Sequence, residues 1–254
     1  MMPNTKIVRN IVFAAAAVFL AAAAFAGCGK KEEPAGEKPE AAENEPDKTE
    51  EAAAKDSRKD KRTEGVRVSA GNPFAGTGNA RMIELWRKAV EENDADAQIG
   101  LGVCYQNGEG VERDMTESAE WFRKAAEQGH AVAQILLAQD YAIGGMGVDR
   151  DMAEAARWYR AAAEQGIASA QFTLGQYFFA GTGVEQDHKE AVKWWRMAAE
   201  QDYSEAQFNL GGCYFEGLGV ERDKAEAAKW FRLAAENGEE DALEALEFLA
   251  HEEE

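Results

Sequence analysis

Residues 204–239 read SEAQFNLGGCYFEGLGVERDKAEAAKWFRLAAENGE, and this unit occurs three more times upstream at a spacing of 36 or 37 residues. Every copy keeps a Gln, a Leu, an aromatic residue, a Gly, a Val, an Asp, a Trp and an Ala-Ala pair in one order. In the quoted copy these are Gln207, Leu210, Tyr214, Gly217, Val220, Asp223, Trp230, Ala234 and Ala235. A fixed period in this range indicates a stacked array, in which each unit buries its apolar face only against its neighbours.

Each copy is predicted to form two helices. In the first copy, Ala97, Leu101 and Tyr105 are spaced i, i+4, i+8, which places them on one stripe of a helix. That helix is predicted to end at Gly108, because glycine readily takes the left-handed conformation of a helix terminus. The second helix of every copy has the Asp-x-x-Glu spacing of an N-cap residue and its first-turn partner. These pairs are Asp114/Glu117, Asp151/Glu154, Asp187/Glu190 and Asp223/Glu226.

The two ends of the array are predicted to be partial units. Residues 74–78 duplicate residues 179–183, so the chain is expected to open with a half-repeat over 74–93. Residues 240–251 are expected to form a capping helix, followed by an acidic tail that completes the domain at residue 254. Complete repeats are placed at about 94–130, 131–167, 168–203 and 204–239. The predicted fold class is all-α, an α-solenoid of antiparallel helix pairs with about ten helices.

The first 27 residues are predicted to be a lipoprotein signal peptide. Lys6 and Arg9 precede the apolar run from Ile11 to Phe25, which is shorter than the roughly 20 residues that span a bilayer. The ending Ala26-Gly27-Cys28 resembles a bacterial lipobox, which would make Cys28 the lipidated first residue of the mature chain. An alternative is ordinary cleavage after Ala24-Phe25-Ala26, which would release a soluble periplasmic protein.

Residues 28–73 are predicted to be the lipidated cysteine followed by a disordered tether. Beyond Cys28 the segment consists mainly of Glu, Lys, Ala and Pro, with almost no large apolar side chains. Such a composition cannot bury enough surface to order itself. The tether is therefore expected to hold the array away from the membrane at the bacterial cell envelope, most simply at the outer membrane.

Charge narrows the class of partner. The chain has 28 Lys and Arg against 47 Asp and Glu, a net charge of −19, and the whole excess falls in residues 80–254. An acidic array lacks the basic patch that nucleic acid requires, and anionic lipid headgroups would repel it. We therefore expect a basic or neutral protein or peptide partner, no nucleic acid, and membrane contact through the N-terminal lipid only. The alternative is that the charge serves solubility alone.

The residue types that carry chemistry form no convincing site. His130, His188 and His251 are scattered without metal-ligand spacing, and each Gly-x-Gly follows a helix and recurs, as a turn would. Cys104 and Cys213 lie in distant units and are expected to be free thiols. No cofactor, metal or small-molecule substrate is expected, and the protein is predicted not to be an enzyme.

The repeat motif resembles that of the Sel-one-like repeat family, relatives of tetratricopeptide repeats. The resemblance covers about residues 74–250 and rests on Ser204 to Gly211, on Gly-x-Gly-Val, and on the Asp, Trp and Ala-Ala-Glu-x-Gly that follow. It implies an adaptor or scaffold role in the bacterial envelope. Two alternatives stay open, a cell-wall or β-lactam hydrolase and a soluble periplasmic regulator with the same fold. No serine in the chain begins the Ser-x-x-Lys motif of β-lactam hydrolases.

The same resemblance implies where a ligand would bind, on a concave face lined by the first helices. By analogy with tetratricopeptide arrays, the partner-binding residues lie one after the repeat Gln and two and five after the repeat Leu. These positions include Gln106, Ala142 and Gly212, and the nine taken as candidate partner-binding residues are Ile99, Val103, Ile135, Gln139, Phe172, Gln176, Phe179, Phe208 and Phe215. An exposed aromatic groove would suit a peptide with apolar anchors. The competing interpretation is that these aromatic rings pack between neighbouring units.

Overall fold

The computed structural model describes Phe74 and residues 79–251, and within that part of the chain every regular element is an α-helix. We call α2, α4, α6, α8 and α10 the first helices, and α1, α3, α5, α7 and α9 the second helices. In chain order the helices are α1 (Ala80–Glu91), α2 (Ala95–Asn107), α3 (Met115–Glu127), α4 (Ala131–Ile143), α5 (Met152–Glu164), α6 (Ala168–Ala180), α7 (His188–Ala199), α8 (Ser204–Glu216), α9 (Lys224–Glu236) and α10 (Asp241–His251). The predicted all-α solenoid of helix pairs is confirmed.

The starts of the second helices follow the Asp-x-x-Glu prediction. At α7, the Asp187 carboxylate accepts hydrogen bonds from the backbone N–H groups of Lys189 (2.9 Å) and Glu190 (3.1 Å). The aspartates that precede α3, α5 and α9 make the same pair of bonds. Because each cap satisfies otherwise unpaired donors of the first turn, the turns before α3, α5, α7 and α9 each end at a fixed residue.

The ends of the first helices are set by glycine. Gly108, Gly181 and Gly217 adopt left-handed backbone, and each donates its N–H to the carbonyl four residues earlier. Gly144 ends α4 differently, with φ 73° and ψ 166°. Its turn, 144–147, contains one residue more than the others, so the extra residue changes the local backbone without interrupting the array.

Packing is confined to neighbours along the chain, as expected of a stack. The repeat leucines Leu101, Leu137, Leu174 and Leu210 are fully buried. Beside three of them a glycine allows close packing of an aromatic ring from the second helix of the same unit. A β-carbon added to Gly211 would lie 2.7 Å from the Phe231 ring, and one added to Gly175 would lie 2.5 Å from the Trp195 ring.

We expect opposite effects of alanine at two adjacent glycines of α8. Gly211→Ala should lower the free energy of unfolding by about 1–3 kcal/mol, because the new methyl group overpacks against Phe231. Gly212→Ala should raise it by about 0.5–1 kcal/mol, because nothing lies within 4 Å of an added β-carbon and alanine favours helix. Urea denaturation of both variants tests this, and equal effects would contradict the proposed packing.

Several predictions concern residues outside the described part of the chain. The signal peptide, Cys28 and the tether lie there, as do the duplicated residues 75–78 and the acidic tail 252–254. Phe74 is buried in a cluster with Met82 and Trp86 of α1. At the other end, Phe248 of α10 packs edge-on against Phe215, with 5.8 Å between the ring centroids. Of the helices described, none is long and apolar enough to cross a bilayer.

Candidate protein-interaction surface

A row of buried glutamines fixes the first helices against their neighbours. Gln207 donates its Nε2 to the carbonyl of Ala199 in the preceding helix (3.0 Å) and accepts a bond from Nδ2 of Asn237, the residue directly after the following helix (3.0 Å). The repeat glutamines of the other three units make equivalent bonds, with Gln128, Gln165 and Gln201 in place of Asn237. Each link therefore joins three helices, which holds the exposed side of each first helix in a fixed position.

This glutamine row was not part of the sequence prediction, although the sequence contains its signal. Each repeat Gln is followed by a Gln or Asn 30 or 31 residues later, just after the second helix. A second link joins adjacent units, because Arg123 in α3 donates to the Tyr141 hydroxyl of the next unit (3.0 Å) and Arg196 in α7 donates likewise to Tyr214. Both arginines thus serve contacts within the stack.

The predicted aromatic groove is largely filled by contacts between helices. Phe208 and Phe215 are only 5% and 7% exposed, and Phe208 packs against Phe231 with ring centroids 5.4 Å apart. The half-buried Phe172 lies 5.1 Å from the Tyr203 ring. Phe179 stacks on His188 at 4.8 Å and lies 5.3 Å from Trp195. The rings therefore stabilise the array, and a role for them in binding a partner stays a prediction.

The other predicted residues differ in exposure. Ile99 and Val103 are half-buried against the core between α2 and α4, and Ile135 is half-buried against the central core. Gln139 is exposed, and Gln176 is partly exposed one unit further along. The structure thus places Gln139 and Gln176 on the solvent side of the first helices.

One side of each first helix faces solvent and includes some of the predicted residues. In α4, Val132, Gln139 and Ile143 are exposed and Leu136 is half-buried among them, with the four spaced by about one helical turn. We call the equivalent residues of all four units the first-helix face. It consists of Asp96, Gly100, Val103 and Asn107 in α2, Val132, Leu136, Gln139 and Ile143 in α4, Ser169, Thr173, Gln176 and Ala180 in α6, and Glu205, Asn209, Gly212 and Glu216 in α8, of which only Gly212 is buried. The analogy with tetratricopeptide arrays gives four of these residues, Val103, Gln139, Gln176 and Gly212, because its other two positions in each unit lie one residue away from this face.

The first-helix face has no positive charge. Within their described bounds the first helices contain no Lys or Arg, whereas the second helices and the turns carry both signs. Turn arginines also have local partners: Arg113 and Arg222 donate from Nε to the carbonyls of Gln106 and Phe215 at the ends of the first helices. Exposed carboxylates on the first helices are Asp96, Glu205, Glu216, Asp241, Glu244 and Glu247.

Negative charge concentrates toward the C-terminal end of this face. Partial burial, together with the nearby carboxylates of Glu205, Asp241 and Glu240, raises the pKa of Glu239 above its usual value. Like charges held this close repel one another, and a cation placed among them would relieve the repulsion.

Comparison with known proteins shows the repeat family and the fold. The Sel1 repeat model matches residues 95–130, 131–167, 168–203 and 204–239. A Sel1 repeat protein from Oxalobacter formigenes is 33% identical with a TM-score of 0.61, and the match covers 68% of this chain and 71% of that one. No curated protein matches the chain.

A second solved structure is more similar in sequence over a shorter region. It is described as a protective antigen present in uropathogenic Escherichia coli strains, displaying an SLR fold. It is 44% identical with a TM-score of 0.57, and the match covers 61% of this chain. This chain spans only 33% of the length of that antigen.

Proposed function

The chain belongs to the Sel1 repeat family, and we propose that it is a lipid-anchored scaffold of the bacterial cell envelope. The scaffold holds a segment of a partner protein on its first-helix face. Sel1 repeats mediate protein–protein interaction. In this proposal the signal peptide directs export of the chain, Cys28 carries the lipid, and the tether lets the array extend away from the membrane. The partner segment is basic or neutral, and the first helices contact it directly.

The observation that supports this proposal is the charge difference between the two helix layers. All Lys and Arg of the described array lie in the second helices or the turns, while the exposed charges of the first helices are carboxylates. Attraction to a basic segment would therefore orient a partner toward one layer and away from the other. Solubility alone does not require such a separation, because charge on either layer would serve it.

Reversing charge on the two layers tests the proposal. Glu205→Lys with Glu216→Lys should reduce formaldehyde-crosslinked partner recovered from intact cells by about fivefold or more, because a basic segment is then repelled. Glu164→Lys with Glu200→Lys changes the net charge equally at the ends of second helices, and should leave recovery unchanged. Loss of the partner with the second pair of substitutions, or no loss with either pair, would contradict binding at the first-helix face.

The anchor is tested separately by fatty-acid labelling. Cells grown with radiolabelled palmitate should incorporate label into the wild-type chain, and Cys28→Ala should abolish the label and release the protein from the membrane fraction. A chain without label that fractionates in the same way with and without Cys28 would indicate the soluble periplasmic form. That result would leave the binding face of the proposal untouched.

A further inference from the structure

We propose that the exposed side of α4 is the apolar anchor site of the scaffold, and that it binds a basic amphipathic helix of the partner. The residues are Val132, Leu136 and Ile143, which we call the α4 strip. This inference rests on the proposed function and narrows it, since it names the helix that provides the anchor and the chemistry of the segment that binds there.

Exposure distinguishes the α4 strip from the rest of the first-helix face. Val132 is 52% exposed and Ile143 is 58% exposed, and Leu136 lies half-buried between them on the same side of the helix. Leu136 packs on the same cluster as Ile99 and Val103 of α2. The apolar surface therefore continues from α4 onto the neighbouring first helix.

Core packing does not explain the apolar side chains of Val132 and Ile143. The opposite side of α4 already fills the core with Ala133, Leu137 and Ala138, which are completely buried. At the position of Val132 the other units have Asp96, Ser169 and Glu205, and at the position of Ile143 they have Asn107, Ala180 and Glu216. The fold therefore accepts polar residues at both positions, so the apolar ones in α4 are not needed for stability.

The dimensions of the strip suit a helix. Val132 and Ile143 are eleven residues apart, which corresponds to about 16 Å along the axis, or about three helical turns. A partner helix with apolar residues at i, i+3 or i+4, and i+7 would place its anchors over that length. The described part of the chain offers no strand edge to an extended peptide.

Charge complementarity indicates whether the segment bound at the α4 strip is basic or acidic. Asp96 on α2 is the exposed carboxylate next to the strip, Glu205 and Glu216 on α8 lie farther along the same face, and no first helix carries a Lys or Arg. Arg150, in the turn after α4, is hydrogen-bonded to the carbonyl of Ala142. Because the array as a whole is strongly negative, an acidic amphipathic helix would be repelled by this face, whereas a basic one is attracted to it. We therefore assign the occupant as a segment with one apolar side and flanking Lys or Arg.

The test uses designed peptides and the full chain carrying Cys28→Ser, purified after export without detergent. The probe is a fluorescent Leu/Lys amphipathic helix of about 18 residues, compared with a Leu/Glu helix and a Lys/Ser peptide of equal length. The Leu/Lys helix should bind at least tenfold more tightly than either of the others. Val132→Ser with Ile143→Ser should weaken its binding at least tenfold, because two apolar contacts are lost.

A matched control is available on the second helices, where Met197 and Leu233 are exposed by 38% and 39%. Met197→Ser with Leu233→Ser should leave the affinity for the Leu/Lys helix within twofold of that of the unsubstituted protein. The inference is overturned if the α4 variant binds normally, if both variants weaken binding equally, or if the Lys/Ser peptide binds as tightly as the Leu/Lys helix. If it is overturned while Glu205→Lys with Glu216→Lys still loses the cellular partner, the proposed function stands without the α4 anchor.

Discussion

Gly183→Ala is expected to lower the free energy of unfolding by about 3 kcal/mol or more. Gly183 lies in the turn between α6 and α7 with a φ of +69°, a conformation that costs other residues about 1–2 kcal/mol. A β-carbon added there would lie 2.1 Å from the carbonyl oxygen of Met152, at the start of α5 in the preceding unit. Because that atom belongs to backbone, the clash can be relieved only by moving one unit away from the other.

The matched control is Gly166→Ala, after α5. Gly166 also has a positive φ, +87°, but no atom lies within 4 Å of an added β-carbon. The free energy of unfolding of this variant should therefore fall only by the cost of the left-handed backbone, about 1–2 kcal/mol. Urea denaturation of the two variants gives the difference, which isolates the contact between units. Equal losses would show that the close approach of the turn to α5 contributes nothing to the stack.

Asp140→Asn is expected to stabilise the array at pH 8 by about 4 kcal/mol and to remove a pH dependence. Asp140 is 5% exposed, at a core position that Cys104, Tyr177 and Cys213 occupy in the other units. Burial raises the pKa of its carboxyl from 3.8 to about 7. Each unit of pKa difference between the folded and unfolded chain corresponds to about 1.4 kcal/mol of stability.

The direction of the pH dependence follows from which state of the chain, folded or unfolded, binds the Asp140 proton more tightly. The folded chain holds the Asp140 proton up to about pH 7, whereas the unfolded chain releases it near pH 4. The stabilisation by this proton is therefore fully present below about pH 4 and is lost as the pH rises to about 7. Above about pH 7 the cost of burying the ionised carboxylate stays constant. The increase in the free energy of unfolding caused by Asp140→Asn should therefore be largest at pH 8 and small near pH 4.

Chemical denaturation at pH 4, 6 and 8 measures this difference between wild type and variant. Asp149→Asn provides the control, because Asp149 is exposed in the next turn and the substitution removes the same charge. The control should change stability by less than about 0.5 kcal/mol at each pH. A gain from Asp140→Asn that is the same at all three values would contradict a buried carboxyl that titrates near pH 7.

The repeat made the helix pairs predictable, because its shared residues are the ones that define the local structure. Asp187 with Glu190 specifies a helix start, Gly181 a helix end, and Leu174 the buried side, and all three are found as expected. These features depend on residues close in sequence, so spacing alone reveals them. The repetition in four copies removes the ambiguity that any single motif would have.

The candidate site was less predictable, because it depends on the residues that differ between copies. The burial of Phe208 depends on Phe231, which packs against it from α9, while the equivalent Ile99, Ile135 and Phe172 are only half-buried. Spacing along the sequence does not show which side chain a neighbouring helix places against such a position. Asp140 illustrates the same limit, since its spacing marks a core position but does not show what the neighbouring unit places against it.

Site-specific photocrosslinking in intact cells measures directly which helix layer contacts the partner. A benzophenone amino acid would replace Gln139 or Gln176 on the first helices, or Lys193 or Lys229, which are exposed on the second helices. We predict that both first-helix positions capture one and the same protein through a segment rich in Lys or Arg, and that the second-helix positions do not. Capture of that protein from the second helices alone, or equally from both layers, would contradict a scaffold that binds through its first-helix face.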